Sequence, residues 1–580
     1  MAQFALRNGV PQCTLANYEE DFAGRHTLQG VLAHWATRKP ESVAIIAVDS
    51  GQEISWKAFD HTTTALAGKL LDFGFERGDY LATALPFLIE HVFLAYACFK
   101  IGVVHTPIDL RLKAPEVIRC VDLIQAKGFA FLGESTTADF RELGKAVQTN
   151  CRSVKRLVQF SPPHQAVIPG ATPGWALLRD AEALADAASR VGPDRAGLMP
   201  FGHAAGMVRE DDGAQVIFTT GSTGYPKPAL LSHRSITCQN MCLGAAFRLD
   251  EASRALVNLP PSHVGGQAEQ VMTPLFYGGC LVLLPAYDPA RTLKAIEDYR
   301  VTFMGQIPAL FNLEWRLPGY DSFDLSSLDM ILYGGQQVPR AFLERLMRMA
   351  RRAGTGLGLT ETSGFCTYTP FDGTVDDLLS GLGYDMPVYP LTIRAPMVEG
   401  GLAGHVLPAG EVGHICFQGP QTFLGYVSDP IATARAITRD GVLYTGDMGC
   451  QDETGLHFAG RARWMIKPKG FQVFPGQVED YLCELRDKVA AAGVVGVEHD
   501  VFVEAIVAFV ERRPGVDLAV SELQEHAQGI ASYMRPLHYV LLNAGELPLN
   551  RVAKIDYVRL DDMARQEIAR LREQGGWDRT

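Results

Sequence analysis

The densest chemistry in the chain lies in nine residues, Thr219-Thr220-Gly221-Ser222-Thr223-Gly224-Tyr225-Pro226-Lys227. They follow the apolar run Val216-Ile217-Phe218 and precede a helix-like segment that begins near Ser232. Glycine lets a backbone approach a ligand closely, and clustered N–H and O–H donors suit phosphate oxygens. Lys227 adds a point charge. A flexible surface turn would explain the glycines but not four Ser/Thr hydroxyls and a lysine on the end of a buried strand. The loop is not of the Walker A type, because Pro226 and Pro228 flank Lys227 in place of the Gly-Lys-Ser/Thr context.

Further chemistry-bearing segments follow in order. They are Leu332-Tyr333-Gly334-Gly335-Gln336-Gln337, then Gly358-Leu359-Thr360-Glu361-Thr362, then Tyr444-Thr445-Gly446-Asp447. Gly460-Arg461 leads through Gly470 to Glu479, and Pro548-Leu549-Asn550-Arg551-Val552-Ala553-Lys554 comes last. In this order they resemble the adenylate-forming (AMP-binding) superfamily: acyl-CoA synthetases, the adenylation domains of peptide synthetases and firefly luciferase. The resemblance runs from about Leu28 to Lys554 and implies an AMP-forming acid–CoA ligase.

Joining a carboxylic acid to a thiol needs a better leaving group than hydroxide. ATP supplies one when the carboxylate attacks the α-phosphate and an acyl-adenylate forms with loss of pyrophosphate. An anion then meets a polyanion, so charge on the reacting phosphorus must be offset. By resemblance that role falls to Lys554. Glu361 would hold Mg²⁺, a hard cation suited to carboxylate and phosphate oxygens. Asp447 would accept from the ribose hydroxyls, and Arg461 would add a ribose or phosphate contact. Thr219, Thr220, Gly221, Ser222, Thr223, Gly224 and Lys227 would cradle the phosphates. Gly335, Gln336, Gly358, Leu359 and Thr360 would line the nucleotide. His263, Tyr333, Gly334 and Gln336 would border the acid, with a satisfied structural histidine as the other reading of His263. Lys469, Gly470 and Phe471 would face CoA, and the smaller domain would turn about Arg463.

Several positions depart from the family pattern. Leu357 replaces the tyrosine before Gly-x-Thr-Glu, and Pro228 the glycine after Lys227. Ala553 replaces the glycine before the lysine, and Arg463-Trp464 occupy the hinge. No acidic residue stands between Leu256 and Gln267, which argues against an amino-acid substrate. The phenol and amides of Tyr333, Gln336 and Gln337 favour a short acid bearing a hydroxyl or other polar group; an aromatic acid is the alternative. An enzyme that loads a carrier protein is a further reading. A catalytically dead binding protein is disfavoured by the presence of Lys227, Glu361, Asp447 and Lys554 together, and a luciferase-like oxygenase rests on fold analogy alone.

These residues need a scaffold, and the patterning supplies one. Tyr80–Leu85, Val103–Thr106 and Phe129–Leu132 read as strands, separated by a helix ending at Gly102 and another over Ala114–Ala126. Such alternation demands right-handed crossovers in a parallel sheet with helices on its faces. It resumes at Leu256–Leu259, Leu281–Leu284 and Met330–Tyr333, while 161–213, rich in Pro, Gly and Ala, reads as a surface connection. From Gly410 to Leu443 short β-like runs appear, and after Arg461 a smaller mixed unit begins. The predicted fold is therefore α/β. A large N-terminal domain (1–461) carries parallel-rich sheets and a β-rich subdomain, and a small mobile α+β domain (462–580) follows.

With 580 residues, of which 47% are hydrophobic, the chain exceeds a single core. A net charge of −12, with no basic stripe, disfavours nucleic acid. No apolar run is long enough for a membrane span, and the N-terminus lacks a signal-peptide pattern. Eleven scattered cysteines without Cys-x-x-Cys point to reduced thiols and a cytoplasmic setting. The expected partners are a small carboxylic acid, ATP and CoA, and a homodimer is left open.

Overall fold

The structure is a computed structural model that describes residues 4–135, 139–161, 165–174, 176–179, 206–219, 226–335, 338–468, 471–500, 502–550 and 554–577. They group into two compact units. The first comprises the described residues up to 219 together with 226–391 and 417–443; the second comprises 392–416 and the described residues from 444 onward.

Two sheets organise the first unit. One runs in the order 425–426, 227–232, 213–219, 104–107, 80–84, 128–132, 156–160, 171–173. The other runs 352–354, 330–333, 303–306, 254–257, 280–283, 43–47, 53–55. The strands Tyr80–Ala84, Val104–Pro107, Gly128–Leu132 and Arg156–Phe160 pair in parallel, as the alternation predicts. Helix Ile89–Ile101 buries every residue but Glu90, and Gly102 ends it in the left-handed region at φ +72°. A parallel sheet needs apolar cover of this kind on both faces.

Some predicted boundaries shift for identifiable reasons. The strand expected over Leu256–Leu259 is Arg254–Val257, because the N–H groups of Asn258 and Leu259 both donate to the Gln270 Oε1 (3.1 and 3.0 Å). The segment expected as pure connection contributes the edge strand Ala171–Pro173, parallel to Arg156–Phe160. The buried Gln159 side chain draws it in by accepting the Ile168 N–H at 2.9 Å. Most of the remaining connection, 180–205, lies outside the described residues.

The second unit holds a four-stranded sheet of Leu391–Arg394, Gly413–Phe417, Leu443–Asp452 and Gly455–Arg461. It also holds a three-stranded sheet, Val489–His499 antiparallel to Val503–Arg512, which runs parallel to His538–Leu542. Side chains alternate across the latter with period two. Val494, Ile506 and Ala508 join the core beneath helix Pro475–Leu482, and Val495, Val507 and Phe509 the core beneath helix Tyr557–Glu573. That last helix buries Leu560, Ala564 and Ile568. Its sparse apolar stripe is therefore a packing face. Among the described residues no helix is long and apolar enough to cross a membrane.

Candidate active site

In the first unit, strands Gly213–Thr219 and Lys227–Ser232 pair antiparallel with Thr219 opposite Lys227. The two ends of the hydroxyl-rich loop thus sit side by side at its base; Thr220, Gly221, Ser222, Thr223 and Gly224 lie outside the described residues. Ser232 caps the following helix, its Oγ accepting the Ser235 N–H at 2.9 Å. The Lys227 ammonium lies 5.2 Å from the centroid of the Tyr426 ring, and the Tyr426 hydroxyl donates to Glu361 Oε1 at 2.6 Å. Glu361 is half-buried on the turn Thr360–Thr362, and its carbonyl accepts the Phe423 N–H at 3.0 Å. Lysine, phenol and carboxylate therefore form one constellation. Nothing local in the sequence singles out Tyr426; it reaches the site because strand Gly425–Tyr426 pairs with Ala229 and Leu230.

Gly334 and Gly335 close the strand Met330–Tyr333, Gly335 at φ +95°, where a side chain would be strained. Gln336 lies outside the described residues. The Phe365 ring covers Gly334, whose absent β-carbon would stand 3.3 Å from Phe365 Cζ, and a β-carbon on Gly358 would stand only 3.1 Å from the Phe365 Cα and N. Gly358 is exposed, Leu359 and Thr360 are half-buried, and Leu357 is buried where the family has a tyrosine. Tyr333 turns the other way. Its side chain is buried in the core with Ile331, Phe342 and Leu346, its ring centroid 6.3 Å from that of Phe342.

His263 is half-buried at the entrance to the irregular helix Gly265–Met272, and its carbonyl accepts the Gly266 and Gln267 N–H groups. It lies close enough to Asp109 for its charge to act on that carboxyl. Glu269, two residues beyond the window free of acids, accepts the Phe365 N–H at 2.9 Å. Burial pushes its carboxyl up to about 7.

In the second unit Asp447 is buried opposite Arg461, whose Nε lies 2.8 Å from the Asp447 Oδ1. The Asp447 N–H donates to Thr445 Oγ1 (3.1 Å), which in turn donates to the Ile415 carbonyl (2.8 Å). Lys554 is tied to Asn550: its N–H donates to Asn550 Oδ1 (3.1 Å) and its carbonyl accepts the Asn550 N–H (2.7 Å). Its ammonium is held below the usual lysine range by desolvation and then by the Arg461 guanidinium, with Asp447 opposing. Lys554, Arg461 and Asp447 are therefore electrostatic neighbours. Arg463 lies in the turn Ala462–Trp464 with its guanidinium 4.8 Å over the Trp464 ring. Phe471 stacks on Tyr533 (4.3 Å) and is half exposed; Lys469 and Gly470 lie outside the described residues.

A carboxylate–arginine pair beside a depressed lysine, and a set of lysine, tyrosine and glutamate, are means of holding a nucleoside phosphate. The sequence profile of the AMP-binding enzymes matches residues 32–427, and that of the AMP-binding enzyme C-terminal domain matches 477–554. The chain belongs to the AMP-binding enzyme family. Within that family it is 35% identical over 362 residues to an indoleacetate–CoA ligase of Aromatoleum aromaticum, covering 61% of this chain and 67% of that protein. It is 26% identical over 540 residues to a medium-chain fatty-acid–CoA ligase of Escherichia coli, covering 91% and 89%. Its fold is similar to an anthranilate–CoA ligase solved with anthranoyl-AMP, with a TM-score of 0.78, 20% identity and coverage of 95% and 99%. The reading of the chain as an AMP-forming acid–thiol ligase of this family is borne out.

Proposed function

We propose that the protein activates a carboxylic acid with ATP and passes the acyl group to the thiol of CoA. The observation that carries this reading is the grouping of Lys554 with the Asp447–Arg461 pair. In the first step a carboxylate oxygen of the acid attacks the α-phosphorus; the new O–P bond forms as the bond to pyrophosphate breaks. Lys554 offsets the charge that gathers on the α-phosphate oxygens. Asp447 takes the ribose hydroxyls, and Lys227 with the loop from Thr219 takes the phosphates. In the second step the CoA sulfur attacks the acyl carbon and AMP leaves. The residues Lys469, Gly470 and Phe471 would guide that thiol, with Arg463 the pivot between the steps.

Glu361 fits a single-carboxylate Mg²⁺ site. One of its oxygens serves Tyr426, and Mg²⁺ commonly takes only one or two carboxylates, the nucleotide phosphates and water supplying the rest. When bound, Mg²⁺ would neutralise phosphate charge.

For the acid we favour an aromatic one over a short aliphatic one. Tyr333, whose phenol would have shortened the pocket, is packed into the core. Phe365, packed on Gly334 and Gly358, would supply an aromatic wall suited to a ring. Two relatives are named for aromatic acids: the indoleacetate–CoA ligase, and a feruloyl-CoA synthase of Amycolatopsis 28% identical over 473 residues. The test is ATP–pyrophosphate exchange over a panel of benzoates, arylacetates and fatty acids, followed by thioester formation with CoA or with a phosphopantetheinyl carrier protein. Activity with long-chain acids alone would overturn the aromatic assignment, and transfer only to the carrier would overturn the CoA assignment.

A further inference from the structure

Helix His233–Ala246 and the irregular helix Gly265–Met272 each send one polar side chain to the same glycine. A β-carbon on Gly364 would stand 2.7 Å from Glu269 Oε1 and 2.9 Å from Gln239 Nε2. Gln239 is completely buried; its carbonyl oxygen accepts from Asn240 Nδ2 at 2.9 Å, while Nε2 has no hydrogen-bond partner among the described residues. Glu269 is half-buried, and among the described residues the Phe365 N–H is its one hydrogen-bond donor. Its second oxygen lies 3.5 Å from where a β-carbon of the half-buried Gly265 would be, two residues from His263. Phe365, which Glu269 holds by the backbone, is the ring that covers Gly334.

A buried amide donor without a partner is rare in a folded protein and costly to leave unmade. Here it stands beside a carboxylate with spare acceptor capacity, against the wall assigned to the acid. An amide that gives and a carboxylate that takes suit a group able to do both, which is a hydroxyl. We propose that Glu269 and Gln239 read a hydroxyl carried by the acid away from its carboxylate, the hydroxyl donating to Glu269 and accepting from Gln239. This deepens the ligase reading and rests on it. A site built to bond a hydroxyl rejects the analogue that lacks it far more strongly than an apolar pocket rejects an added hydroxyl.

The experiment compares kcat/KM of the full-length enzyme for the 3- and 4-hydroxy isomers of benzoate and phenylacetate with their deoxy and methoxy analogues. The best hydroxy acid should exceed its deoxy partner by about 10²-fold or more. Glu269→Ala should erase that preference, bringing kcat/KM for the hydroxy acid down to that for the deoxy acid in the same variant, and Gln239→Met, which keeps Glu269 in place, should reduce it. A parent enzyme that accepts aromatic acids without regard to the hydroxyl overturns this proposal and leaves the ligase reading standing. Equal losses for hydroxy and deoxy acids in both variants also overturn it, by making the pair structural. An enzyme that exchanges pyrophosphate with none of these acids removes both the proposal and the aromatic assignment.

Discussion

At the scale of single residues, the two steps of the reaction make different demands on the same side chains. In the proposed reaction Lys554 acts only while the α-phosphate is under attack. Lys554→Ala should slow acyl-adenylate formation by about 10²–10³-fold yet leave thioester formation from a pre-made adenylate close to the parent rate. Rapid-quench measurement of each half-reaction decides it, and equal losses in both would remove the assignment. In the proposed reaction Asp447 holds the ribose, a part of ATP that does not react, so its removal should weaken ground state and transition state alike. Asp447→Ala should raise KM for ATP about 10–100-fold, the worth of charged hydrogen bonds to a hydroxyl pair, with kcat little changed; a fall in kcat at unchanged KM would contradict the role. These residues were legible because each stands in a compact local motif. Glu269 and Tyr426 were not, since their partners Phe365, Glu361 and Lys227 are supplied by distant segments. Tyr333 was legible in principle: strand parity places it on the face of Ile331, which lies in the same core.

The elements show which departures from the family pattern carry structure. Trp464, at a position where a charged residue is common, stacks on Tyr557 with centroids 5.4 Å apart, and the Tyr557 hydroxyl donates to Glu479 at 2.8 Å. Glu479 also accepts the Val494 N–H at 2.8 Å. The turn after Arg461 is thereby fastened to the helix Pro475–Leu482 and the sheet beyond it. A pivot at Arg463 then has to act through the backbone of the turn. Arg463→Pro, which fixes φ near −65°, should spare adenylation and cripple thioester formation; pre-steady-state traces with both steps equally affected would place the pivot elsewhere. The fully buried strands and helices of the first unit were readable because apolar runs bounded by glycine leave few alternatives. The edge strand Ala171–Pro173 was hidden, because it depends on one buried glutamine that no periodicity reveals. The irregular helix Gly265–Met272 was also hidden, its Gly-Gly start carrying no helix signal.

For the whole molecule, the sequence conveyed the α/β character and the need for more than one core, because length and alternation bear directly on both. Where buried charge is stored is a tertiary property. Glu314, at the end of helix Pro308–Glu314, is completely buried, and burial pushes its carboxyl up to about 8. Gln306 Nε2 donates to its Oε1 at 2.9 Å, while its Oε2 and the Gln306 Oε1 lack partners among the described residues. Between the ordinary glutamate value of 4.5 and about 8, the unfolded chain has released a proton that the folded chain keeps. The contribution of this group to stability should therefore fall as pH rises through that window, by up to about 1.4 kcal/mol per pH unit, and level off above it. Glu314→Gln is neutral throughout and carries an amide donor beside the Gln306 oxygen, so it lacks this dependence. The titrating groups common to both proteins cancel in the difference. The stability of Glu314→Gln relative to the parent should thus rise steadily from pH 5 to pH 8 in urea unfolding of the first unit's transition. Parallel stability curves across that range would mean that Glu314 is already ionised in the fold.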